Sequence, residues 1–234
     1  MLAKAFEAES IALALKVIQT EIPFGIWETI YATVVSTAFA ILIGLPLGML
    51  LVAGDTNGVK PLPKWFMSLL NTVINLLRSI PFLILMIMAF PLARIIVGTT
   101  VGTTACIVPL VIAAFPFVAR LVETSLREVN PNIIETAQSM GANPMQILLR
   151  VMLPEAVPSL ITNFTLAITT ILGYTAMSGA IGGGGLGNIA IMIGYNRYKY
   201  AVLYAAVIVL VILVQVIQSF GTWLATKSDK RLKK

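Results

Sequence analysis

The sequence of 234 residues contains no histidine and one cysteine, and only 11% of its residues are charged. Without histidine, a Ser-His-Asp triad, a histidine-ligated metal site and an imidazole proton relay are all excluded. The single cysteine, Cys106, excludes an internal disulfide. Because soluble domains have roughly 25% charged residues, this chain has too little charge to form a water-soluble surface.

Long hydrophobic runs take the place of the missing charge, since 58% of the residues are hydrophobic. About 20 apolar residues of helix cross the hydrocarbon core of a membrane. Five runs are long enough, and they cover residues 26–53, 64–91, 101–121, 157–180 and 200–226. They are continuous and lack the alternation of a membrane β-barrel. The sequence therefore predicts an all-α membrane protein with about five transmembrane helices, in a transmembrane domain over 26–226.

The first 25 residues differ from the remainder because charges interrupt them. Glu7, Glu9, Lys16 and Glu21 break the apolar pattern, which is not typical of a cleavable signal peptide. We interpret the segment 1–25 as an interfacial helix, with a disordered tail as the alternative.

The distribution of lysine and arginine predicts the orientation in the membrane. With five spans, one side receives ten of these residues: Lys60, Lys64, Arg120, Arg127, Arg150, Lys227, Lys230, Arg231, Lys233 and Lys234. The other side receives Lys4, Lys16, Arg94, Arg197 and Lys199. Cytoplasmic loops carry the excess of positive residues, which predicts an outside N-terminus and a basic cytoplasmic tail over 227–234. Nucleic-acid binding would need a soluble basic face that this chain lacks.

The segment 122–156 is then the main cytoplasmic connection, between the third and fourth spans, and it contains signals for two short helices. Asn130-Pro131 is typical of a helix start, and Gly141 is a stop signal ten residues later. Asn143-Pro144, with Gln146, repeats the start as a capping box, and Leu153-Pro154 predicts the second end. The first helix has an apolar stripe, Ile133, Ile134, Ala137 and Met140. This stripe either packs on the protein's own helix ends or docks into a partner.

The same segment resembles the coupling loop of binding-protein-dependent ABC importer permeases. That family has Glu-Ala-Ala, a glycine after three residues, and Ile-x-Leu-Pro after nine more. Here Glu135-Thr136-Ala137, Gly141, Val151 and Leu153-Pro154 stand at this spacing. The resemblance implies that Glu135, Thr136, Ala137, Gly141, Leu153 and Pro154 contact a separate ATPase, and we name residues 122–156 the coupling segment.

Further motifs resemble the methionine-uptake branch of this family: 27–29, 78–82, 107–110, 116–120 and 173–177. This resemblance implies a permease in the bacterial cytoplasmic membrane that works as a homodimer with two ATPase subunits and an extracytoplasmic substrate-binding protein. ATP and magnesium would be bound by the ATPase and by no site in this chain. A permease for another amino acid or small solute is the alternative.

Two glycine-containing motifs superficially resemble nucleotide-binding sites. The run Gly182-Gly183-Gly184-Gly185-Leu186-Gly187 fits a dinucleotide fingerprint in letters, but it follows a membrane span and lacks a βαβ unit. We interpret its glycines (Gly182, Gly183, Gly184, Gly185 and Gly187) as a hinge or a close backbone approach. Residues 221–228 nearly match a P-loop, but Thr226 replaces a required glycine.

Polar residues inside the spans are candidates for the substrate pathway. Arg78 lies within the second apolar run, where a charge costs about 2.5–3.5 kcal/mol on insertion scales unless it faces a cavity or finds partners. We therefore expect it to face inward, beside Ser79 and Pro81, either capping carbonyls freed by the proline or lining the pathway. Tyr174, Met177 and Ser178 share one helical face, which favours either pathway contact or ordinary packing.

Three other classes of protein remain as alternatives. An ion-coupled secondary transporter would need ionisable groups inside the membrane, and Glu28, Glu123 and Glu135 are predicted to lie outside the span interiors. An intramembrane enzyme would need a nucleophile with a base, which the histidine-free spans do not offer. A membrane scaffold would leave Arg78 and the spacing of the coupling segment unexplained.

Overall fold

The computed structural model describes residues 15–17 and 19–229. Most of the predicted interfacial helix and the end of the basic tail lie outside these residues. Within the predicted segment 1–25, residues 15–17 and 19–20 are helical, and the first long helix begins at Ile22. The first span therefore starts four residues earlier than the sequence pattern predicted.

The described residues form helices and no strands, which confirms the predicted all-α class. The α-helices are α1 (Ile22–Ala53), α2 (Lys64–Ser79), α3 (Phe82–Val97), α4 (Thr103–Arg127), α5 (Pro131–Ser139), α6 (Pro144–Gln146), α7 (Leu153–Glu155), α8 (Val157–Ser178), α9 (Gly185–Asn188) and α10 (Tyr200–Ser228). Ile147–Met152 and Ile189–Tyr195 are π-helical, and Gly179–Ile181 is a 3₁₀ turn. Within residues 15–17 and 19–229, four segments are long and apolar enough to cross a membrane: α1, α4, Val157–Ile181 and α10.

The second predicted span, 64–91, is wrong as a single helix. It consists of α2 and α3, which are bent by 108° at the break between them. Pro81 causes the break, because proline lacks an amide donor and disfavours helical backbone in the residue before it. Ile80 accordingly has an extended ψ of 126°. Counted as one broken span, the pair brings the described residues to five candidate spans.

One compact unit is formed by the described part of Met1–Ala38 with Pro81–Ala113 and Ile168–Ile217. It contains two buried apolar clusters. The first is Ile22, Leu186, Ile189, Ala190, Val202 and Ala206, and the second is Ala32, Phe82, Met86, Cys106 and Leu110. Tyr174 packs on the second cluster and stacks on Phe82, with ring centroids 4.4 Å apart.

The other unit is formed by Phe39–Ile80, Ala114–Ala167 and the described part of Gln218–Lys234. Among its described residues, Leu51, Met67 and Ile74 form one buried apolar cluster. Gly44 and Gly48 are one turn apart on α1 and face α4: a Cβ atom on Gly48 would lie 2.6 Å from the Ala119 carbonyl oxygen. Small residues at this spacing allow two membrane helices to approach closely.

Candidate functional site

The coupling segment begins as the sequence predicts. The Asn130 side chain accepts a hydrogen bond from the Asn132 amide at 3.0 Å, and Pro131 opens α5. The helix stops at Ser139, and Gly141 has a φ of +79°, the left-handed conformation that glycine adopts without strain. The predicted cap and glycine stop are both confirmed.

The second half of the segment also starts as predicted but ends differently. Asn143 and Gln146 form a complete capping box, with both hydrogen bonds at 2.9 Å. Leu153-Pro154 does not end the helical stretch, since the π-helical turn leads into α7 and α8 follows after Ala156. Proline has no amide donor and does not fit the interior of a regular α-helix, and Pro154 lies directly after the π-helical turn, in the first turn of α7.

The coupling segment exposes several large apolar side chains. Helix α5 has no buried residue, and Met140 is 83% exposed. Ile133, Met145 and Leu149 are also exposed, and Glu135 is an exposed carboxylate on α5. The predicted apolar stripe is divided, because Ile134 instead lines a cleft within the unit. The coupling segment therefore presents methionine and aliphatic side chains around an exposed carboxylate without contributing them to the core.

This cleft, of about 560 Å³, lies between α5 and the connection that joins α1 to α2. Its walls include Val52, Asp55, Asn57, Gly58, Val59, Leu126, Arg127, Val129, Pro131, Ile134, Glu135, Gln138 and Met152. Glu135 thus lies on the exposed helix and also lines the cleft.

A chain of charged hydrogen bonds borders the cleft. Arg127 donates to Asp55 Oδ2 at 2.7 Å and to Glu123 Oε1 at 2.9 Å. Glu123 also accepts a hydrogen bond from Arg120 at 2.6 Å. Hydrogen bonding to the Arg127 guanidinium lowers the pKa of the Asp55 carboxyl below its ordinary value. The network fixes the end of α4 to the loop that follows α1.

Arg120 extends the same network to α2. Its Nη2 atom donates to Asn71 Oδ1 at 2.7 Å and to Asn75 Oδ1 at 3.0 Å. Asn163 similarly joins α8 to α4 through Ser125, at 2.8 Å. Polar residues inside the apolar runs therefore bond between helices, and sequence analysis did not find the arginine partner of the two asparagines.

The pathway candidates of the second apolar run lie at the break between α2 and α3. Arg78 is exposed in the last turn of α2, not in the middle of a straight span. Ser79 donates to the Asn75 carbonyl at 2.8 Å, and Pro81 precedes α3. That Arg78 faces the interior of the helix bundle stays a prediction.

The pathway candidates on α8 have different environments. Tyr174 is held by its stacking on Phe82, and Ser178 is buried and donates to the Thr175 carbonyl at 2.7 Å. Met177 is 47% exposed. Met177 is therefore the member of this set whose side chain is accessible to a solute or a second chain.

The glycine run forms a tight loop, residues 182–187, which we name the glycine loop. Gly183 donates a backbone hydrogen bond to the Ser178 carbonyl at 2.9 Å, and Gly182 accepts one from Gly102, also at 2.9 Å. Gly185 donates to Glu28 Oε2 at 2.8 Å. The run is a close backbone approach, one of the two interpretations made from the sequence; its action as a hinge stays a prediction.

Glu28 is a functional candidate that sequence analysis missed. It lies near the start of α1, inside both the predicted run 26–53 and the observed candidate span Ile22–Ala53, although the sequence placed it outside the span interior. Among the described residues, no group of three or more Cys, Asp or Glu side chains can hold a metal ion.

Residues 44–234 match the family described as "Binding-protein-dependent transport system inner membrane component". The chain is 45% identical to the probable D-methionine transport system permease protein MetI of Vibrio cholerae, over 88% of this chain and 91% of that protein. It is 44% identical to the D-methionine transport system permease protein MetI of Escherichia coli K12, over 66% and 71%.

Solved structures show the same relationship. An inward-facing structure of the MetNI methionine ABC transporter has a TM-score of 0.88 and 41% identity, covering 91% of this chain and 98% of that one. An amino acid ABC transporter with histidines shares the fold at a TM-score of 0.71 and 19% identity. The matched region includes the whole coupling segment, which confirms the resemblance found in the sequence and the prediction of a transport component rather than an enzyme. The chain belongs to the family of binding-protein-dependent transport system inner membrane components.

Proposed function

We propose that this chain is the membrane permease of an ATP-driven importer for methionine, and that two copies form the translocation pathway. Two separate ATPase subunits and an extracytoplasmic substrate-binding protein complete the importer. The observation that carries the proposal is the coupling segment, whose capped helix, left-handed glycine and exposed apolar side chains occur in a chain 45% identical to a D-methionine permease over most of its length.

The coupling segment supports docking of an ATPase. An exposed helix with Ile133 and Met140 at its surface leaves apolar area that a partner can bury. Glu135 offers a carboxylate to a cationic or amide group of that partner. ATP and magnesium are bound by the ATPase, and this chain supplies no catalytic group. Hydrolysis shifts the permease between inward-open and outward-open states, and the coupling segment transmits the movement.

Charge distribution supports an N-terminus outside and a C-terminus in the cytoplasm. Lys60, Lys64, Arg120, Arg127, Arg150 and Lys227 all belong to the unit that contains the coupling segment. The described basic residues of the other unit are Lys16, Arg94, Arg197 and Lys199. The positive-inside rule assigns the coupling segment to the cytoplasmic side.

The pathway is lined in part by the exposed face of α8. Met177 has a flexible, polarisable thioether that can close a narrow path or contact a thioether solute. Arg78, Ser79 and Pro81 contribute at the break between α2 and α3. If Met177 lines the pathway, Met177→Ala changes either the leak of labelled methionine or its half-saturating concentration. An unchanged leak and concentration would assign Met177 to packing.

Assembly with the ATPase tests the proposal. The chain is purified together with the ATPase, and ATP hydrolysis is measured in detergent and in vesicles. We expect a stable complex of two permease and two ATPase chains whose hydrolysis depends on Glu135. A chain that transports methionine without any ATPase, driven by an ion gradient, would support the secondary-transporter alternative and contradict the proposal.

A further inference from the structure

Glu28 and Thr29 of α1 cap a helix that lies 157 residues further along the chain. Glu28 Oε2 accepts the Gly185 amide at 2.8 Å, and Thr29 Oγ1 accepts the Leu186 amide at 2.9 Å. These are the first two amides of the helical stretch Gly185–Tyr195, and amides in this position have no partner within their own helix. The residue before the stretch, Gly184, has no side chain to provide a cap.

The carboxylate is held from a third segment as well. Thr103, at the start of α4, donates its hydroxyl hydrogen to Glu28 Oε1 at 2.6 Å. Gly184 lies against both groups with a φ of +72°, and a Cβ atom there would lie 3.1 Å from each carboxylate oxygen. The glycine loop is therefore shaped to receive the Glu28 side chain. This contact accounts for the run of glycines, whereas nucleotide binding does not.

The glycine loop is also tied to the end of α8. The Gly183 amide bonds to the Ser178 carbonyl, and Ser178 follows Met177 directly. Gly187 packs so closely on Ala176 that a Cβ atom would overlap its backbone. Any displacement of the loop from α1 must therefore move the backbone that carries Met177.

We infer that Glu28 is a positioning residue for transport, which fixes the glycine loop on α1 and thereby holds the end of α8 in place. A carboxylate at a helix N-terminus interacts favourably with the helix dipole and makes charge-assisted hydrogen bonds, and both effects strengthen away from water. Glutamine at this position keeps one carbonyl acceptor but loses the charge. The inference rests on the proposed function, because the pathway role of Met177 belongs to it.

The test uses vesicles that contain the full chain and its ATPase. The variants are Glu28→Ala, Glu28→Gln, Thr103→Val and Thr103→Ser, and the control is Glu21→Gln, which makes the same chemical change at an exposed carboxylate of the same unit. Three quantities are measured: ATP hydrolysis, the rate of uptake over a range of methionine concentrations, and the leak of labelled methionine without ATP. Hydrogen exchange of peptides that cover 183–190 reports whether the helix start has opened.

Glu28→Ala is expected to lower the maximal uptake rate by at least about tenfold, because it removes both charge-assisted hydrogen bonds of the carboxylate, from Gly185 and from Thr103. The half-saturating concentration and ATP hydrolysis stay at the level of the parent, the leak rises, and peptides over 183–190 exchange faster. Glu28→Gln and Thr103→Val have the same effects to a smaller extent, and Thr103→Ser behaves like the parent.

The inference is overturned if Glu28→Ala and Glu28→Gln transport without leak at the rate of the parent. It is also overturned if ATP hydrolysis declines in parallel with uptake in Glu28→Gln and Thr103→Val, since that pattern indicates general loss of stability. If the proposed function itself is wrong, the result is different: the parent and the Glu21→Gln variant then also fail to accumulate methionine.

Discussion

Arg120 on α4 donates a hydrogen bond to Asn71 on α2 across 2.7 Å, which connects a charged side chain near the end of one helix to an amide on another. Asn71 in turn donates to the Met67 carbonyl at 2.8 Å, so its amide orientation is fixed. The position of α2 beside α4 thus depends on a polar contact as well as on apolar packing.

Replacing Asn71 by alanine should therefore destabilise the chain. A hydrogen bond to a charged group contributes about 1.5–3 kcal/mol, and we expect the lower end because Asn75 and Glu123 still bind Arg120. The measurement is the thermal unfolding midpoint of the purified chain in detergent. Thr72→Ala, at an exposed position of the same helix, is the control. Equal midpoints for the two variants would contradict the role of Asn71.

Stability should also depend on pH through Asp55. Its pKa is lowered in the folded chain, first by the hydrogen bond from Arg127 and then by that from the Thr56 amide. A lowered pKa contributes stability that is complete above the ordinary aspartate pKa of about 3.9 and is lost as the pH falls through the folded value. Unfolding midpoints of the parent and of Asp55→Asn should therefore converge in acid. Parallel pH curves for the two proteins would exclude Asp55 as a contributor.

Close packing of α1 on α4 predicts opposite effects at two helical glycines. Gly48→Ala should destabilise by about 1–3 kcal/mol, because the new methyl group collides with the Ala119 carbonyl and with Val122. A Cβ atom added to Gly173 on α8 would meet no atom within 4 Å, and Gly173→Ala should stabilise by about 0.5–1 kcal/mol through the lower entropy of the unfolded chain. An unfolding midpoint of Gly48→Ala at or above that of the parent would show that the helix contact at Gly48 is not tight.

Coupling to the ATPase should depend on Gly141. Its φ of +79° is strained for a β-branched residue, so Gly141→Val should distort the end of α5 and reduce assembly, stimulated hydrolysis and uptake together. Gly98→Val is the matched control, because Gly98 has a φ of +86° and equal space around it but caps α3 instead. If both variants assemble with the ATPase like the parent, the end of α5 does not take part in docking.

Local signals predicted the coupling segment well, because the contacts that define it lie within a few residues of each other. Asn130, Asn143 and Gln146 cap their own helices, and Gly141 acts at its own position. Hydropathy predicted the apolar runs but not the break at Pro81, since two shorter helices on either side of a proline have the same composition as one span.

Contacts between distant segments could not be predicted in this way. Glu28 and Gly185 are 157 residues apart, and no periodicity connects them. Each of the two segments has its own signal in the sequence. The first has a carboxylate near the start of an apolar run, and the second has a run of glycines that does not fit a nucleotide-binding site. The prediction of one apolar stripe along α5 was wrong for a related reason. Spacing defines a face of a helix, but it does not show that Ile134 lines a cleft while Met140 is exposed.

The most direct test of the central claim is the uptake of radiolabelled methionine into vesicles that contain the chain, its ATPase and the substrate-binding protein. We predict accumulation against a gradient only with ATP and all three components, and loss of accumulation in Glu135→Ala and Gly141→Val while the vesicles remain sealed. Accumulation that persists without the ATPase, or in both coupling variants, would contradict the assignment of this chain as an ATP-coupled permease.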